Sequence, residues 1–171
     1  MRVLRHSLHL SHIASGLWLT LALCACSETL PPPSNPIQFS QVTAEAGIDF
    51  MHYNGFSGEY YYIETFGGGA AFFDYDNDGW LDLYLVNGTY IKGYPPDPLP
   101  INKLYRNIGD GHFSDITTIS KLADSHYGFG VAAADYDADG DQDLFIANYG
   151  PNTFYRNDGT AFSELGAAIG I

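Results

Sequence analysis

The stretch "FFDYDNDGWLDLYLVNG", residues 72–88, places four aspartates within nine positions and then runs straight into β-branched and aromatic residues. Two bare carboxylates about 4 Å apart repel by roughly 1 kcal/mol even in water, so this crowding beside a segment of buried character calls for a positive partner. Asp74, Asp76, Asp78, Gly79 and Asp82 stand at positions 1, 3, 5, 6 and 9 of the loop. A hard divalent cation takes about six to eight oxygens, and alternating carboxylates closed by a turn-making glycine supply them, with the main-chain carbonyl of Trp80 at position 7. An EF-hand would need Glu at position 12, where Leu85 stands, and flanking helices instead of strand-forming residues. The stretch therefore reads as a cation-binding hairpin between two strands.

The same pattern returns. "GAAFFDYDNDGWLDLYLVNG" at 69–88 aligns with "GVAAADYDADGDQDLFIANY" at 130–149, and "NKLYRN" at 102 aligns with "NTFYRN" at 152. "FSQVT", "FSDIT" and "FSELG" form a third recurring word, and "YIKGYPPDPLP" at 90–100 is an insertion confined to the first unit. The second loop offers Asp135, Asp137, Asp139 and Asp143 around Gly140, with the carbonyl of Asp141 at position 7. Two copies at equivalent places argue against an incidental acidic turn. An all-protein oxygen cage suits calcium better than magnesium, so two structural Ca2+ sites are expected.

Each unit predicts four short strands. The first is rich in Gly and Ala (68–73 and 129–134), the second apolar on both faces (82–86 and 143–147), the third carries "YRN" and the fourth "FS". Asp-Gly between short apolar runs is a hairpin signal because the turn needs positive φ. Two-sided apolar strands need cover on both faces, and a repeated four-stranded unit packed against its own copies is a propeller blade. The fold class is all-β, a β-propeller, with blade 1 over about 66–117 and blade 2 over about 128–171. Residues 39–43 are expected to act as a ring-closing strand, since a fourth-strand word placed before the first blade can complete the last one.

The N-terminus is of another kind. "MRVLRHSLHLSH" is basic and "IASGLWLTLALCA" is apolar but short for a membrane span, the layout of a secretory signal over residues 1–25. Leu23, Ala25 and Cys26 resemble a bacterial lipoprotein signal, which implies lipidation at Cys26 and an exported protein. Ser27 leaves out the Asp associated with inner-membrane retention, so outer-membrane or extracellular display is expected. Residues 26–36, "CSETLPPPSNP", read as a Pro-rich tether, and the repeat region spans 37–171. Beyond residue 25 the chain has five basic and twenty acidic residues, a formal charge of −15. That sign disfavours nucleic acid and anionic lipid headgroups as partners. Nine of the acids lie in 74–82 and 135–143, where a cation would sit.

"GFGVAAADYDADGDQDLFIAN" resembles the FG-GAP or VCBS repeat of α-integrin heads and of many bacterial exported proteins. Together with "NKLYRNIGDGHFSDIT" and the lipoprotein leader, it is similar to bacterial relatives of cartilage acidic protein, whose repeats commonly precede an ASPIC/UnbV-type domain. The resemblance covers about 39–171. It implies a calcium-stabilised, typically seven-bladed propeller used for binding. Two complete units followed by "AAIGI" lead to the expectation of an N-terminal fragment of such a protein.

If the aspartate hairpins lie at one end of the blades, the long connections gather at the other. These carry Tyr53, Tyr60, Tyr61, Tyr62, Tyr90, Tyr94 and Tyr127. Of these, Tyr60, Tyr61, Tyr62, Tyr90, Tyr94 and Tyr127 are the candidate contacts for a protein or glycan ligand. No catalytic set is expected: His52, His112 and His126 sit in unrelated contexts, Glu59 and Glu64 are not placed as a pair, and "GGG" at 67–69 fits a close-packed inner strand better than a phosphate loop. "NGT" at 87 matches an N-glycosylation acceptor that a bacterial lipoprotein would seldom use. The leading reading is a calcium-dependent binding or adhesion module at the cell envelope. The rival is the scaffold part of an exported polysaccharide-active enzyme whose catalytic residues lie elsewhere.

Overall fold

A computed structural model describes residues 37–171 apart from 92, 94 and 160. The expected leader (1–25), the tether (26–36), Cys26 and Tyr94 lie outside the described residues. Among the described residues, no helix is long and apolar enough to cross a membrane.

Two four-stranded antiparallel sheets follow one another along the chain, each a simple meander. The first holds β1 (Ala70–Phe73), β2 (Asp82–Leu85), β3 (Lys103–Asn107) and β4 (Phe113–Asp115); the second holds β5 (Gly128–Ala134), β6 (Asp143–Asn148), β7 (Thr153–Asn157) and β8 (Phe162–Glu164). These are the eight strands expected, and neither sheet closes on itself. Among the described residues, the all-β reading is qualified only by single turns of helix at Tyr62–Thr65, Thr117–Ser120 and Gly166–Ile169. The last two end in a left-handed residue, Lys121 and Gly170, which stops the helix after one turn. Residues 39–43 pair with no strand: 37–42 carry no regular element and 43–47 form a turn. A closing strand needs a free sheet edge beside it, and β4 and β8 already fill the fourth position of both sheets.

Because side chains alternate across a strand, each sheet has two faces. The rear face of the first sheet carries Ala71, Phe73, Tyr84 and Leu104, in register across β1, β2 and β3. The front face of the second carries Val131, Ala133, Leu144, Ile146 and Tyr155. These faces form one core, with Val86, Leu122 and Phe162 completing it and Ile116 packed alongside. The glycines and alanines of the first strands allow the close approach: a Cβ on Gly69 would stand 2.6 Å from the Gly130 Cα, so no side chain fits there. Gly68 and Gly69 thus serve close packing, as the sequence suggests, whereas Gly67 borders open space, and regular pairing begins only at Ala70.

Polar bonds lock the same interface. The Asn157 side-chain amide donates to the Tyr75 carbonyl at 2.8 Å, and the Tyr84 hydroxyl donates to the Leu122 carbonyl at 3.0 Å. The front face of the first sheet is partly covered by residues 46–49, where Asp49 accepts from the Lys103 ammonium (2.8 Å) and the Tyr105 hydroxyl (2.6 Å). These two donors hold the Asp49 carboxyl below its ordinary range, while burial and Asp49 together push the Tyr105 phenol up to about 12.

Candidate metal centre and ligand cleft

The two aspartate loops join β1 to β2 and β5 to β6, as the spacing predicts. Both fold by the same local bonds. Asp74 accepts from the Asp78 and Gly79 N–H groups at 3.0 and 2.9 Å, and Asp135 accepts from those of Asp139 and Gly140 at 3.2 and 3.1 Å. Asp78 then receives the Trp80 N–H and Asp139 the Asp141 N–H, both at 2.9 Å. Asn77 and Ala138 take positive φ (56° and 61°) and so do Gly79 and Gly140 (89° and 99°), which turns the chain sharply enough to aim alternate carboxylates inward. Asn tolerates that conformation; Ala138 bears its strain, of order 1 kcal/mol.

Oxygens of Asp74, Asp76 and Asp78 converge within 4.8 Å of one another, as do those of Asp135, Asp137 and Asp143. The ninth residue differs between the loops. Asp82 lies outside the first cluster, whereas Asp143 belongs to the second. Both have a further task that spacing alone does not show. Asp82 accepts from the Tyr75 and Asn107 N–H groups (2.9 and 2.8 Å), and Asp143 from those of Tyr136 and Asn157 (2.7 and 2.8 Å). Each fully buried carboxylate thereby clasps its loop to the end of the third strand. Burial raises the Asp82 pKa, its two N–H donors lower it in part, and Asp76 and Asp78 add to the rise.

The loops also differ in their compensating charge. Arg106 reaches Asp76 at 2.8 Å and Asp78 at 2.9 Å. Its counterpart Arg156 turns instead to Asp158 at 2.8 Å. Desolvation, then Asp139 and Asp143, raise the Asp137 pKa. The donor sets suit a hard cation, and one carboxylate oxygen, Asp76 Oδ1, is buried without a hydrogen-bond partner. Asp141 sends its side chain across the interface to accept from the Asn77 amide, while Trp80 lays its indole over Gly109 in the β3–β4 turn.

At the opposite end of the strands lie the tyrosines. Tyr60, Tyr61, Tyr62 and Tyr90 are exposed and Tyr53 is half-buried. Tyr127 corrects the expectation: it is buried, and its hydroxyl donates to the Asn54 and Ile63 carbonyls at 2.7 and 3.1 Å. It anchors the 54–65 segment, and its mostly buried ring only borders the cleft beside Tyr90. Tyr127→Phe is expected to cost about 1–2 kcal/mol and to speed amide exchange across 54–65 more than in β2 or β6. Uniform exchange in the variant would contradict this anchoring role.

An extra residue at the start of β5 shifts the register between Gly128 and Gly130 and sets Phe129 outside the ladder. Phe129 meets Phe66, Tyr127 and Tyr149 at ring-centroid distances of 5.3, 5.6 and 6.5 Å, and Phe66 meets Tyr62 at 5.0 Å. Tyr62 (78 %) and Tyr149 (65 %) are the open ends of this strip. Beside it is a cleft of about 430 Å³ bounded by Tyr90, Leu99, His126 and Tyr149. Tyr149 and Phe129 are not among the ligand contacts expected from sequence because Tyr149 directly follows β6 and Phe129 lies within β5, outside the long connections.

The remaining side chains resolve simply. His52 accepts from the Gly68 N–H (3.1 Å), and His112 and His126 bond Asp110 and Asp124 two residues away. Glu64 is buried and accepts from the Ser57 N–H and hydroxyl. Asn87 is buried too: its amide donates to Met51 and Ile101 and its oxygen accepts from Tyr53, which removes it from any surface modification of the folded chain.

No curated protein matches the sequence. The family model for an FG-GAP-like repeat matches residues 74–146, a span that runs from the first aspartate loop through the second and into β6. The chain carries an FG-GAP-like repeat, and with it the all-β architecture of two successive four-stranded sheets.

Proposed function

We propose that this chain is an exported, β-propeller-type binding module whose two blades are each pinned by a calcium ion and which holds a protein or glycan at the cell envelope. The repeat match and the paired carboxylate clusters support the calcium-stabilised blade. The observation that carries the binding role is the aromatic strip of Tyr62, Phe66, Phe129 and Tyr149 beside the Tyr90 cleft, at the end remote from the aspartate loops. A rigid sheet scaffold holding exposed rings next to a concave surface suits stacking on sugar faces or peptide side chains. Export and lipid attachment at Cys26 tether the module to the outer membrane or the cell exterior, in keeping with the likeness to bacterial relatives of cartilage acidic protein.

Glycan and protein arrays probed with the chain test this reading. Tyr62→Ala combined with Tyr149→Ala is expected to weaken the captured ligand tenfold or more, from about 2 kcal/mol of lost aromatic contact, with the melting temperature nearly unchanged. Undiminished capture by the double variant removes the strip as the binding surface.

A further inference from the structure

Two four-stranded sheets packed face to face leave two sheet faces over. The rear face of the second sheet carries Ala132, Ala134, Phe145 and Phe154, and the front face of the first carries Ala70, Phe72, Leu83, Leu85 and Tyr105. Among the described residues no sheet covers either one. The rear face opens into an apolar groove of about 450 Å³ bordered also by Tyr136, Ile169 and Ile171. On the front face, Phe72 is 62 % exposed, whereas Leu83 and Tyr105 already lie buried beside residues 46–49.

The inner interface shows what fits such faces. There Phe73 of β1 comes from the rear face of one sheet, and small Ala133 of β5 from the front face of the next, so the innermost strands share one large ring. On the leftover faces the sizes are exchanged: Ala134 stands at the repeat position of Phe73, and Phe72 at that of Ala133. Bringing these faces together again places one ring against alanines, without doubling the aromatic volume or leaving a void. The polar clasp repeats as well. Asn157 bonds the Tyr75 carbonyl across the inner interface, whereas Asn107, its counterpart, donates to Leu81 within its own sheet at 3.0 Å. Tyr136 supplies the backbone carbonyl equivalent to that of Tyr75.

We infer that the rear face of the second sheet binds the front face of the first sheet in a second copy of this chain. The contact joins two different surfaces, so it runs head to tail and closes into a ring or continues as an open array. Residues 166–171 and the partner's 43–48 share the repeat position that 117–122 occupies inside, where Leu122 is buried. One of these two turns withdraws on docking, a cost that the buried apolar faces must offset.

Sedimentation equilibrium on the full chain is expected to show mass rising with concentration. Ala132→Glu on the rear face and Phe72→Glu on the front face should each give monomers, with far- and near-ultraviolet circular dichroism like the parent chain. An equimolar mixture of the two variants keeps one intact pair of faces and should form a 1:1 dimer and nothing larger. If Ala132→Glu does not fold, Tyr136→Glu at the edge of the same groove takes its place. A parent chain that stays monomeric at the highest concentration, a variant that assembles like the parent, or a mixture that stays monomeric each overturns the contact. Because two single substitutions on opposite sheet faces are compared, association through residues 1–36 cannot mimic this pattern.

Discussion

Calcium added to the metal-free chain is expected to raise its melting temperature by about 10 °C or more, and Asp76→Ala with Asp137→Ala is expected to remove the rise. A ligand at one hundred times its dissociation constant stabilises by about 2.7 kcal/mol per site, and for a unit of this size each kcal/mol moves the midpoint by about 3–5 °C. The two loops should not contribute equally. In the first, Arg106 already pairs with Asp76 and Asp78, so a cation must displace it. In the second, Arg156 is engaged with Asp158, and the carboxylates of Asp135, Asp137 and Asp143 face one another with no lysine or arginine among the described residues paired to them. Asp137→Ala should therefore take away the larger share of the calcium response. Without calcium the order reverses: Asp76→Ala loses an ion pair worth about 0.2–1 kcal/mol, whereas Asp137→Ala relieves repulsion and leaves the midpoint unchanged or slightly higher. Differential scanning calorimetry with and without chelator measures all four values. A double variant that still responds to calcium like the parent removes the site assignment.

Strands, hairpins and aspartate loops were legible because each rests on a local rule. Asp-Gly turns, alternating carboxylates and two-sided apolar strands recur at fixed offsets, and the repeat doubles every signal. What the sequence hid depends on contacts between distant residues. Tyr127 and Tyr62 are both tyrosines in connecting segments, yet only the fold shows that one donates to Asn54 and Ile63 while the other stands open. Phe129 gains its place in the aromatic strip from a bulge that a short Gly-Phe-Gly word does not announce. The single helical turns at Thr117–Ser120 and Gly166–Ile169 fall below the length at which hydrophobic periodicity can be recognised. Spacing likewise assigns Asp82 and Asp143 one role, as ninth-position ligands, where the geometry makes both of them clasps and leaves only Asp143 within a carboxylate cluster.

That second role leads to the other large effect. Asp143→Ala is expected to destabilise the chain by about 3–5 kcal/mol even when chelator keeps calcium away. The carboxylate is buried, and both its oxygens are bonded to backbone N–H groups, Tyr136 at the start of the loop and Asn157 at the end of β7. Truncation leaves both donors without a partner, at about 1–3 kcal/mol each, and opens space beneath the loop. Against a total stability of about 5–15 kcal/mol this is a large fraction, so the midpoint should fall by about 10 °C or more. Asp143→Asn keeps one acceptor oxygen and should recover roughly half the loss, and Asp82→Ala should repeat the effect through Tyr75 and Asn107. Denaturant unfolding in chelator separates clasp from ligand. A purely metal-binding carboxylate, surrounded by Asp135 and Asp137, would leave the calcium-free chain as stable or more so when removed, because repulsion falls. A clasp leaves it weaker whether calcium is present or not. An Asp143→Ala chain that matches the parent in chelator would show that the two N–H groups find other partners, and that the fold of this loop belongs to the cation alone.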